Sequence, residues 1–362
     1  MKQFKRVAIK IGSNVLSRKD GSLDVTRLSS LVDQVAELRR NGIEIILISS
    51  GAVACGRSEL SGGDLSKLSS VDSRQLFSAV GQAKLINRYF DLFREHGIHV
   101  GQVLTMKENF STRTHYLNQR NCMSVMIENG VIPVVNENDT VSVTELMFTD
   151  NDELSGLIAT MMDVDALVIL SNVDGIFNLP PGQPGAQVIS EVRAGDDLSG
   201  NISTVKSGFG RGGMITKCGI AMKVAAEGID VFIANGERDN VLEALLLRKG
   251  NGLKYTHFIP GEKGMSSVKK WLANSAGFSK GEIHIDAKAV EAVMSDKAVS
   301  ILPVGIVNVV GDFEKDDIIT IVGPDGESIG VGKAAYTSQH VAESMGKHGA
   351  RPVVHYDYLY IE

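Results

Sequence analysis

From residue 4 to about residue 257, short apolar runs alternate with segments whose apolar positions recur at helical spacing. The apolar runs, rich in β-branched residues, are predicted as strands over 6–11, 43–49, 98–104, 130–136, 165–171 and 228–234. The helical spacing predicts helices over 26–41, 73–96, 113–129, 151–163, 214–227 and 239–247. Unbroken apolar strands alternating with helices predict an α/β fold, a mostly parallel open sheet with helices on both faces.

The pattern changes near residue 258. Residues 258–279 are polar and rich in glycine, which is typical of a connection between domains. Beyond them come short β-type runs separated by turn signals such as "PDGE", with helical patterns over 287–295 and 338–346. We therefore predict an α/β domain over 1–257, a linker over 258–279 and a small β-rich domain over 280–362.

Composition narrows the class of protein. The chain is 43% hydrophobic and 22% charged, which is ordinary for a soluble globular protein. Its three cysteines, Cys55, Cys122 and Cys218, are scattered and form no CxxC pair, which favours a reducing compartment over a zinc site. No apolar leader precedes the first strand and no run reaches the roughly 20 apolar residues of a membrane span, so a cytoplasmic location is predicted. A net charge of −6 gives no reason to expect nucleic acid as the main partner.

Lys10 is the unusual residue of the first strand, because it interrupts an otherwise apolar run. Gly12 follows directly, where the strand should end. In open α/β sheets, ligands bind beyond the carboxyl ends of the strands. Lys10 is therefore predicted to face a ligand, and the alternative is a lysine on an edge strand with its amine in solvent.

Five polar or glycine-rich stretches fall at predicted strand ends or helix starts. They are "KIGSN" (10–14), "SSGAVACG" (49–56), "NENDT" (136–140), "TDNDELSG" (149–156) and "GFGRGGMITK" (208–217). The last runs into a helix predicted to begin near Thr216, with Lys217 in its first turn, and a helix N-terminus favours anions. The pattern is neither GxxxxGK[ST] nor GxGxxG. The "DND" sequence alone is also typical of a helix N-cap.

Taken together, these stretches favour phosphoryl transfer. Two lysines beside glycine loops supply the cations that a moving phosphoryl group needs, and glycine-lined amides suit nucleotide phosphates. The clustered carboxylates and amides could hold either a cationic substrate amine or a magnesium ion.

In their order and spacing, "KIGSNVL", "SSGAVACG", "NENDTV", "DNDELSGLIA" and "GRGGMITK" resemble the amino acid kinase family. The resemblance covers residues 1 to about 257 and is strongest to the members that phosphorylate glutamate. The tail resembles a PUA domain, with "ILPVGI" over 301–306 fitting well. The resemblance implies the amino acid kinase fold and ATP-dependent phosphorylation of the γ-carboxylate of L-glutamate, giving L-glutamyl 5-phosphate with Mg²⁺. It also implies the first step of proline biosynthesis, inhibition by proline, and a homodimer or homotetramer.

The same resemblance assigns roles to individual residues. Lys10 and Lys217 would neutralise charge on the transferring phosphoryl group, with Asp152 between them as the third catalytic residue. The implied glutamate-binding residues are Ser50, Asp139, Asp150 and Asn151. The implied ATP-binding residues are Lys10, Ser171, Asn172, Arg211, Gly212, Gly213, Met214, Ile215, Thr216 and Lys217.

The chain departs from the family pattern at three places. Asn172 stands where relatives carry an aspartate, and Arg211 stands where they carry a small residue. Met147 to Thr149 replace a segment that begins with a basic residue in relatives. We expect these departures to alter affinity or feedback control and to leave the chemistry intact.

Two other functions compete with kinase activity. One is RNA binding, because PUA domains elsewhere bind RNA, but residues 279–362 carry seven Lys and Arg against thirteen Asp and Glu. A domain that grips phosphate backbones should be basic. The other is a non-catalytic sensor of glutamate or proline, and retention of Lys10, Asp152 and Lys217 argues against it.

Overall fold

A computed structural model describes residues 3–60, 68–110, 112–141, 151–181, 183–193, 196, 213–249, 252–261, 271–272, 275–295, 299–349 and 351–361. The chain divides into two compact units, residues 1–107 with 120–264 and residues 108–119 with 265–362. The first unit holds an eight-stranded sheet and the second a five-stranded sheet. The predicted domain boundaries at 257 and 280 remain a proposal.

The large sheet is mostly parallel, as the alternating pattern predicts. Its strands are β1 (Arg6–Ile11), β2 (Glu44–Ser49), β3 (Val100–Thr105), β4 (Ile132–Glu137), β5 (Ala166–Ser171), β6 (Glu191–Val192), β7 (Asp230–Asn235) and β8 (Tyr255–Phe258). They lie in the order β3-β4-β2-β1-β5-β7-β8-β6. Only the β7–β8 pair is antiparallel among these neighbours. This sheet confirms the predicted fold class.

Helices cover both faces of this sheet. Those of the described residues up to 249 are α1 (Ser13–Leu16), α2 (Val25–Arg40), α3 (Ala52–Glu59), α4 (Ser70–Arg94), α5 (Arg113–Glu128), α6 (Asn151–Met161), α7 (Met214–Ala226) and α8 (Val241–Leu246). One apolar core packs α2, α4 and α8 against side chains from one face of the sheet, among them Val7, Ile9 and Ile11 of β1. Helix α6 contacts β1, β2, β4 and β5, and α7 contacts α6 and β7.

All six strands and all six helices predicted before residue 258 are present, with ends displaced by at most three residues. Helix α7 begins at Met214, as the helical spacing over 214–227 predicts, and two residues before the start near Thr216 expected from the glycine-rich stretch. The sequence interpretation missed four elements, α1, α3, β6 and β8. Helix α3 contains most of the "SSGAVACG" stretch, for which the sequence pattern predicts no helix, and β6 is only two residues long.

Helices α3 and α4 cross in direct backbone contact, which explains Gly56 of the "SSGAVACG" stretch and Gly81 of α4. A Cβ atom built on Gly56 would lie 1.8 Å from the carbonyl oxygen of Phe77, and one built on Gly81 would lie 1.8 Å from that of Ala52. No side chain fits at that separation. Glycine at both positions therefore lets α3 begin directly after β2 and still pack on α4.

The second unit contains the β-rich tail. Its strands are β9 (Gly281–Ile285), β10 (Ile306–Gly311), β11 (Ile318–Val322), β12 (Ser328–Lys333) and β13 (Leu359–Ile361), in the order β10-β9-β11-β12-β13. Helices α9 (Ala287–Val293) and α10 (Ser338–Ser344) match the two predicted helical patterns. An apolar cluster that includes Ile283, Ile319 and Val354 forms the core of this unit.

Residues 108–119 belong to the second unit, which the sequence pattern did not indicate. Trp271 is almost fully buried, and its indole Nε1 donates to the carbonyl oxygen of Phe110 at 3.0 Å. Leu272 is buried beside it. Part of the predicted linker over 258–279 is therefore packed inside this unit.

The three cysteines should differ sharply in reactivity. Burial raises the pKa of the Cys55 thiol to about 11 and that of Cys218 to about 12, whereas the Cys122 side chain is exposed. Since the thiolate is the reactive form, we expect Ellman's reagent at pH 8 to titrate one thiol quickly in the native protein. All three thiols of the chain should react in denaturant. Rapid reaction of a second thiol in the native state would contradict the buried placement.

Among the described residues, no helix combines the length and the apolar character that crossing a bilayer requires.

Candidate active site

Lys10 lies near the end of β1 and points away from the main apolar core. Side chains of a strand alternate between the two faces of the sheet. Because Ile9 and Ile11 belong to the core on one face, Lys10 projects to the opposite face, where α6 contacts β1. Lys10 is 5% exposed, so it is not an edge-strand lysine in solvent. Its strand lies in the middle of the sheet, between β2 and β5.

Asp152 holds two ammonium groups in a buried cluster. Its Oδ1 lies 2.5 Å from Lys10 Nζ, and its Oδ2 lies 2.9 Å from Lys217 Nζ. The three residues are between 1% and 9% exposed. Burial raises the pKa of Asp152, but the two ammonium groups outweigh this effect and hold the pKa below its ordinary value. The structure thus brings together the three predicted catalytic residues from β1, α6 and α7.

Gly12 keeps the space beside Lys10 open. A Cβ atom at this position would lie 3.0 Å from the carbonyl oxygen of Leu170 and 3.6 Å from Lys10 Nζ. The Gly12 amide donates to the same Leu170 oxygen at 3.1 Å, which ties the turn after β1 to β5. A side chain at residue 12 would therefore crowd this tie and lie in van der Waals contact with the lysine ammonium.

The buried cluster has the composition that phosphoryl transfer requires. Two ammonium groups against one carboxylate leave a net positive charge, which would stabilise the charge spread over the oxygens of a moving phosphoryl group. Asp152 is a poor general base, because its pKa is lowered and both of its oxygens face ammonium groups. The arrangement therefore suits an acceptor that is already ionised, such as a carboxylate with a pKa of about 4.3.

The cluster lies at the switch point of the sheet. In the sheet, β2 and then β4 lie on one side of β1, and β5 and then β7 lie on its other side. Ligands of open α/β sheets bind at such a point, outside the carboxyl ends of the strands. Two groups of polar residues flank Lys10 accordingly, one after β2 and β4 and one after β5 and β7.

On the β2 and β4 side, Ser50 and Asn151 are brought together. Asn151 Nδ2 donates to Ser50 Oγ at 3.0 Å and to Asn136 Oδ1 at 2.9 Å. Asn136 Nδ2 in turn donates to Gln82 Oε1 at 2.8 Å. These amide and hydroxyl groups join β2, β4, α4 and α6 in one network, which includes two of the predicted glutamate-binding residues.

Asp139 lies on the same side in an ion-pair cluster with Arg74. Arg74 Nε donates to Asp139 Oδ1 at 2.8 Å, and Arg74 NH2 contacts the same oxygen and also lies 3.3 Å from Glu137 Oε2. Both carboxylates are buried. Burial raises the pKa of Asp139 above its ordinary value, and the Arg74 charge and the Ser78 hydroxyl oppose this rise without cancelling it.

On the β5 and β7 side are the described residues predicted to bind ATP. Ser171 ends β5, its hydroxyl donates to Asn172 Oδ1 at 3.5 Å, and its carbonyl oxygen accepts from the Gly236 amide at 2.8 Å. Helix α7 begins at Met214 after Gly213, so Ile215, Thr216 and Lys217 fall in its first turn. The first amides of a helix have no partner within it and favour an anion.

Several predicted positions lie outside the described residues. They are Asp150 of the glutamate set, Arg211 and Gly212 of the ATP set, and the departures at Met147 and Thr149. Their predicted roles stay predictions.

Sequence reasoning missed the polar residues that support the site. Arg74, Gln82 and Asn136 support the β2 and β4 side. On the other side, Asp174 accepts hydrogen bonds from Asn235 and from the guanidinium of Arg238, which lowers its pKa. The polar "NENDT" stretch pointed to Asn136. For Arg74 and Gln82, inside a helix, the sequence carried no signal.

Within the described residues, no three His, Cys, Asp or Glu side chains gather into a group that could hold a metal ion. Both oxygens of Asp152 face lysines. The described side chains at the site therefore do not form a metal cage of their own.

Comparison with known proteins finds two matching family models and relatives that match over the full length of the chain. The model of the amino acid kinase family matches residues 5–235, and that of the PUA domain matches residues 281–356. A glutamate 5-kinase of Bacteroides thetaiotaomicron is 66% identical over 363 residues, which cover 100% of this chain and 100% of that one. A glutamate 5-kinase of Chlorobaculum tepidum is 46% identical over 362 residues, 99% of this chain and 98% of that one. Among solved structures, the UMP kinase from Bacillus anthracis has a TM-score of 0.48 at 16% identity, over 71% of this chain and 97% of that chain.

Proposed function

The chain belongs to the amino acid kinase family, within its glutamate 5-kinases, and from this premise we propose how its residues carry out the reaction. The activity is ATP-dependent phosphorylation of the γ-carboxylate of L-glutamate, which gives L-glutamyl 5-phosphate. This phosphorylation is the first step of proline biosynthesis. The observation that carries the residue assignment is the buried cluster of Lys10, Asp152 and Lys217.

In the reaction, a γ-carboxylate oxygen of glutamate attacks the γ-phosphorus of ATP. The new bond is O–P, the bond to the β-phosphate oxygen breaks, and ADP leaves with that electron pair. Since the acceptor carboxylate is ionised at neutral pH, no proton has to be removed. Lys10 and Lys217 stabilise charge on the transferring group, and Asp152 holds both ammonium groups in place.

Glutamate binds on the β2 and β4 side of Lys10. Asp139 faces the substrate ammonium, together with Asp150, and the amide of Asn151 and the hydroxyl of Ser50 hold the carboxylates. The hydrogen bond from Asn151 to Ser50 supports this placement. It joins the first residue of α6 to the residue that follows β2, so both side chains face the same part of the site. A substrate lacking the ammonium would form no ion pair with Asp139.

ATP binds on the β5 and β7 side. Ser171, Asn172 and the segment 211–217 contact it, with the phosphates at the start of α7 and against Lys10. Mg²⁺ would arrive with ATP, since it is usually held by substrate phosphates and water with few protein ligands. The ion would supply further positive charge at the phosphates.

The remaining proposals concern regulation and assembly. Proline occupies the glutamate region as an inhibitor, and the chain forms a homodimer or homotetramer in the cytoplasm. The division into a kinase domain over 1–257, a linker over 258–279 and a PUA-like domain over 280–362 completes the proposal.

A hydroxamate assay tests the function directly. With ATP, Mg²⁺ and glutamate, hydroxylamine should trap the acyl phosphate in every turnover. N-acetylglutamate, whose ammonium is blocked, should react at about a tenth of the rate or less, because a charged hydrogen bond is worth about 1.5–3 kcal/mol. Absence of hydroxamate with glutamate, in protein that still binds it, would favour a sensor instead. Tight binding of RNA without turnover would favour the other alternative.

A further inference from the structure

We propose that Arg74 is a positioning residue for glutamate, which acts by holding the carboxylate of Asp139 toward the substrate ammonium. The inference rests on the proposed function, because Asp139 is there assigned to the ammonium. Arg74 lies in the second turn of α4 and is 65 residues from Asp139 along the chain.

The contacts of Arg74 converge on the loop after β4. Its Nε and NH2 both reach Asp139 Oδ1, so the guanidinium fixes the carboxylate from one side. The next residue, Gln75, donates from Nε2 to the carbonyl oxygen of Thr140 at 2.9 Å. Two consecutive residues of α4 therefore hold the backbone and the side chain of this loop.

The charges of this cluster favour an incoming cation. One guanidinium is shared by two buried carboxylates, Glu137 and Asp139. When both carboxylates are ionised, the cluster carries a net negative charge, which the substrate ammonium would balance. The Arg74 side chain is only 19% exposed, so its own attraction for the carboxylates is weakly screened.

Removal of Arg74 would act on Asp139 in two ways. The carboxylate would lose the contacts that orient it, and it would also lose the charge that opposes the effect of burial on its ionisation. Both effects weaken its hold on an ammonium group. Neither touches Lys10, Asp152 or Lys217, so the loss should fall on glutamate binding and leave the transfer step largely intact.

The test is steady-state kinetics in the hydroxamate assay with full-length protein. Arg74→Ala should raise KM for glutamate by about tenfold to a hundredfold, with kcat and KM for ATP changed by less than about threefold. Arg74→Lys should recover most of the loss, because it restores the charge. Arg6→Ala is the matched control: it removes another partly buried arginine, paired with Glu44 at 2.7 Å at the start of β1, and should leave KM unchanged.

A double-mutant cycle separates positioning from a direct contact with substrate. If Arg74 acts through Asp139, Arg74→Ala should add little to the KM of Asp139→Asn. Additive losses, or an unchanged KM in folded Arg74→Ala protein, would overturn the proposal. If Arg74→Ala does not fold, Arg74→Gln keeps a polar side chain with the same carbons up to Cδ, removes the charge and replaces Arg74→Ala in the cycle.

Calorimetry distinguishes this proposal from the function on which it rests. Glutamate binding to the intact protein is measurable without turnover, and Arg74→Ala should weaken it by the same factor as KM. Wild-type protein that binds glutamate but forms no hydroxamate would overturn the proposed function alone. Equal glutamate affinity of wild type and Arg74→Ala would overturn the positioning role alone.

Discussion

Replacement of Lys10 by alanine is expected to lower kcat by about a hundredfold to a thousandfold, the usual loss when one buried donor to a developing charge is removed. KM for ATP should change far less, because the lysine contact strengthens as the phosphoryl group moves. Lys10 can act in this way because its strand directs it to the face of Asp152, in a site where its charge is shielded from water.

The matched control for this variant is Lys84→Ala. Lys84 also pairs with a carboxylate, that of Glu59, but its side chain is 39% exposed and lies on α4 outside the buried cluster. The kcat of Lys84→Ala should stay within about twofold of the wild-type value, since exposed ion pairs contribute about 0–1 kcal/mol to stability. A Lys10→Ala protein with near-normal kcat would show that the lysine serves stability alone.

Replacement of Asp152 by asparagine should remove activity and also destabilise the fold. Without the carboxylate, two ammonium groups remain buried beside each other with their shared counterion gone. Removal of one partner from a buried ion pair typically costs about 3–5 kcal/mol. The variant should therefore melt at a clearly lower temperature in the absence of ligands, and kcat should fall because neither lysine is held in place.

Glu153→Gln is the control on the same helix. Glu153 follows Asp152 directly and lies 3.5 Å from Lys107, with both side chains 24% exposed. Its loss should cost less than about 1 kcal/mol in the same thermal melt. Equal melting of the two variants would contradict a special role of the buried cluster in stability.

The pH dependence of this contribution follows from the lowered pKa of Asp152. A carboxylate whose pKa is lower in the folded protein than in the unfolded chain adds stability above its ordinary pKa. That stability is lost as the pH falls through the lowered, folded-state value. The difference in stability between wild type and Asp152→Asn should therefore be full near neutral pH and shrink only under strongly acidic conditions.

Much of the fold could be predicted because burial leaves a local periodic pattern. The six apolar runs became strands β1–β5 and β7, and the helical spacings became helices with nearly the expected ends. Helix α3 was missed because its packing pairs its own Gly56 with Gly81 of α4, and no local sequence window contains both residues. Strands β6 and β8 lie at the far edge of the sheet, where short length weakens the pattern.

The sequence by itself determined which chemical groups the site contains and that they follow strand ends or open helices. The stretches around Lys10, Asp152 and Lys217 predicted two cations and a carboxylate at the site. Their resemblance to the amino acid kinase family implied phosphoryl transfer to a carboxylate. Only the tertiary structure decided that one carboxylate serves both lysines, at 2.5 Å and 2.9 Å. It alone also placed Arg74 against Asp139. The physical reason is that strand order and helix crossings set these contacts between distant residues, whereas a sequence pattern reports only the burial of neighbours.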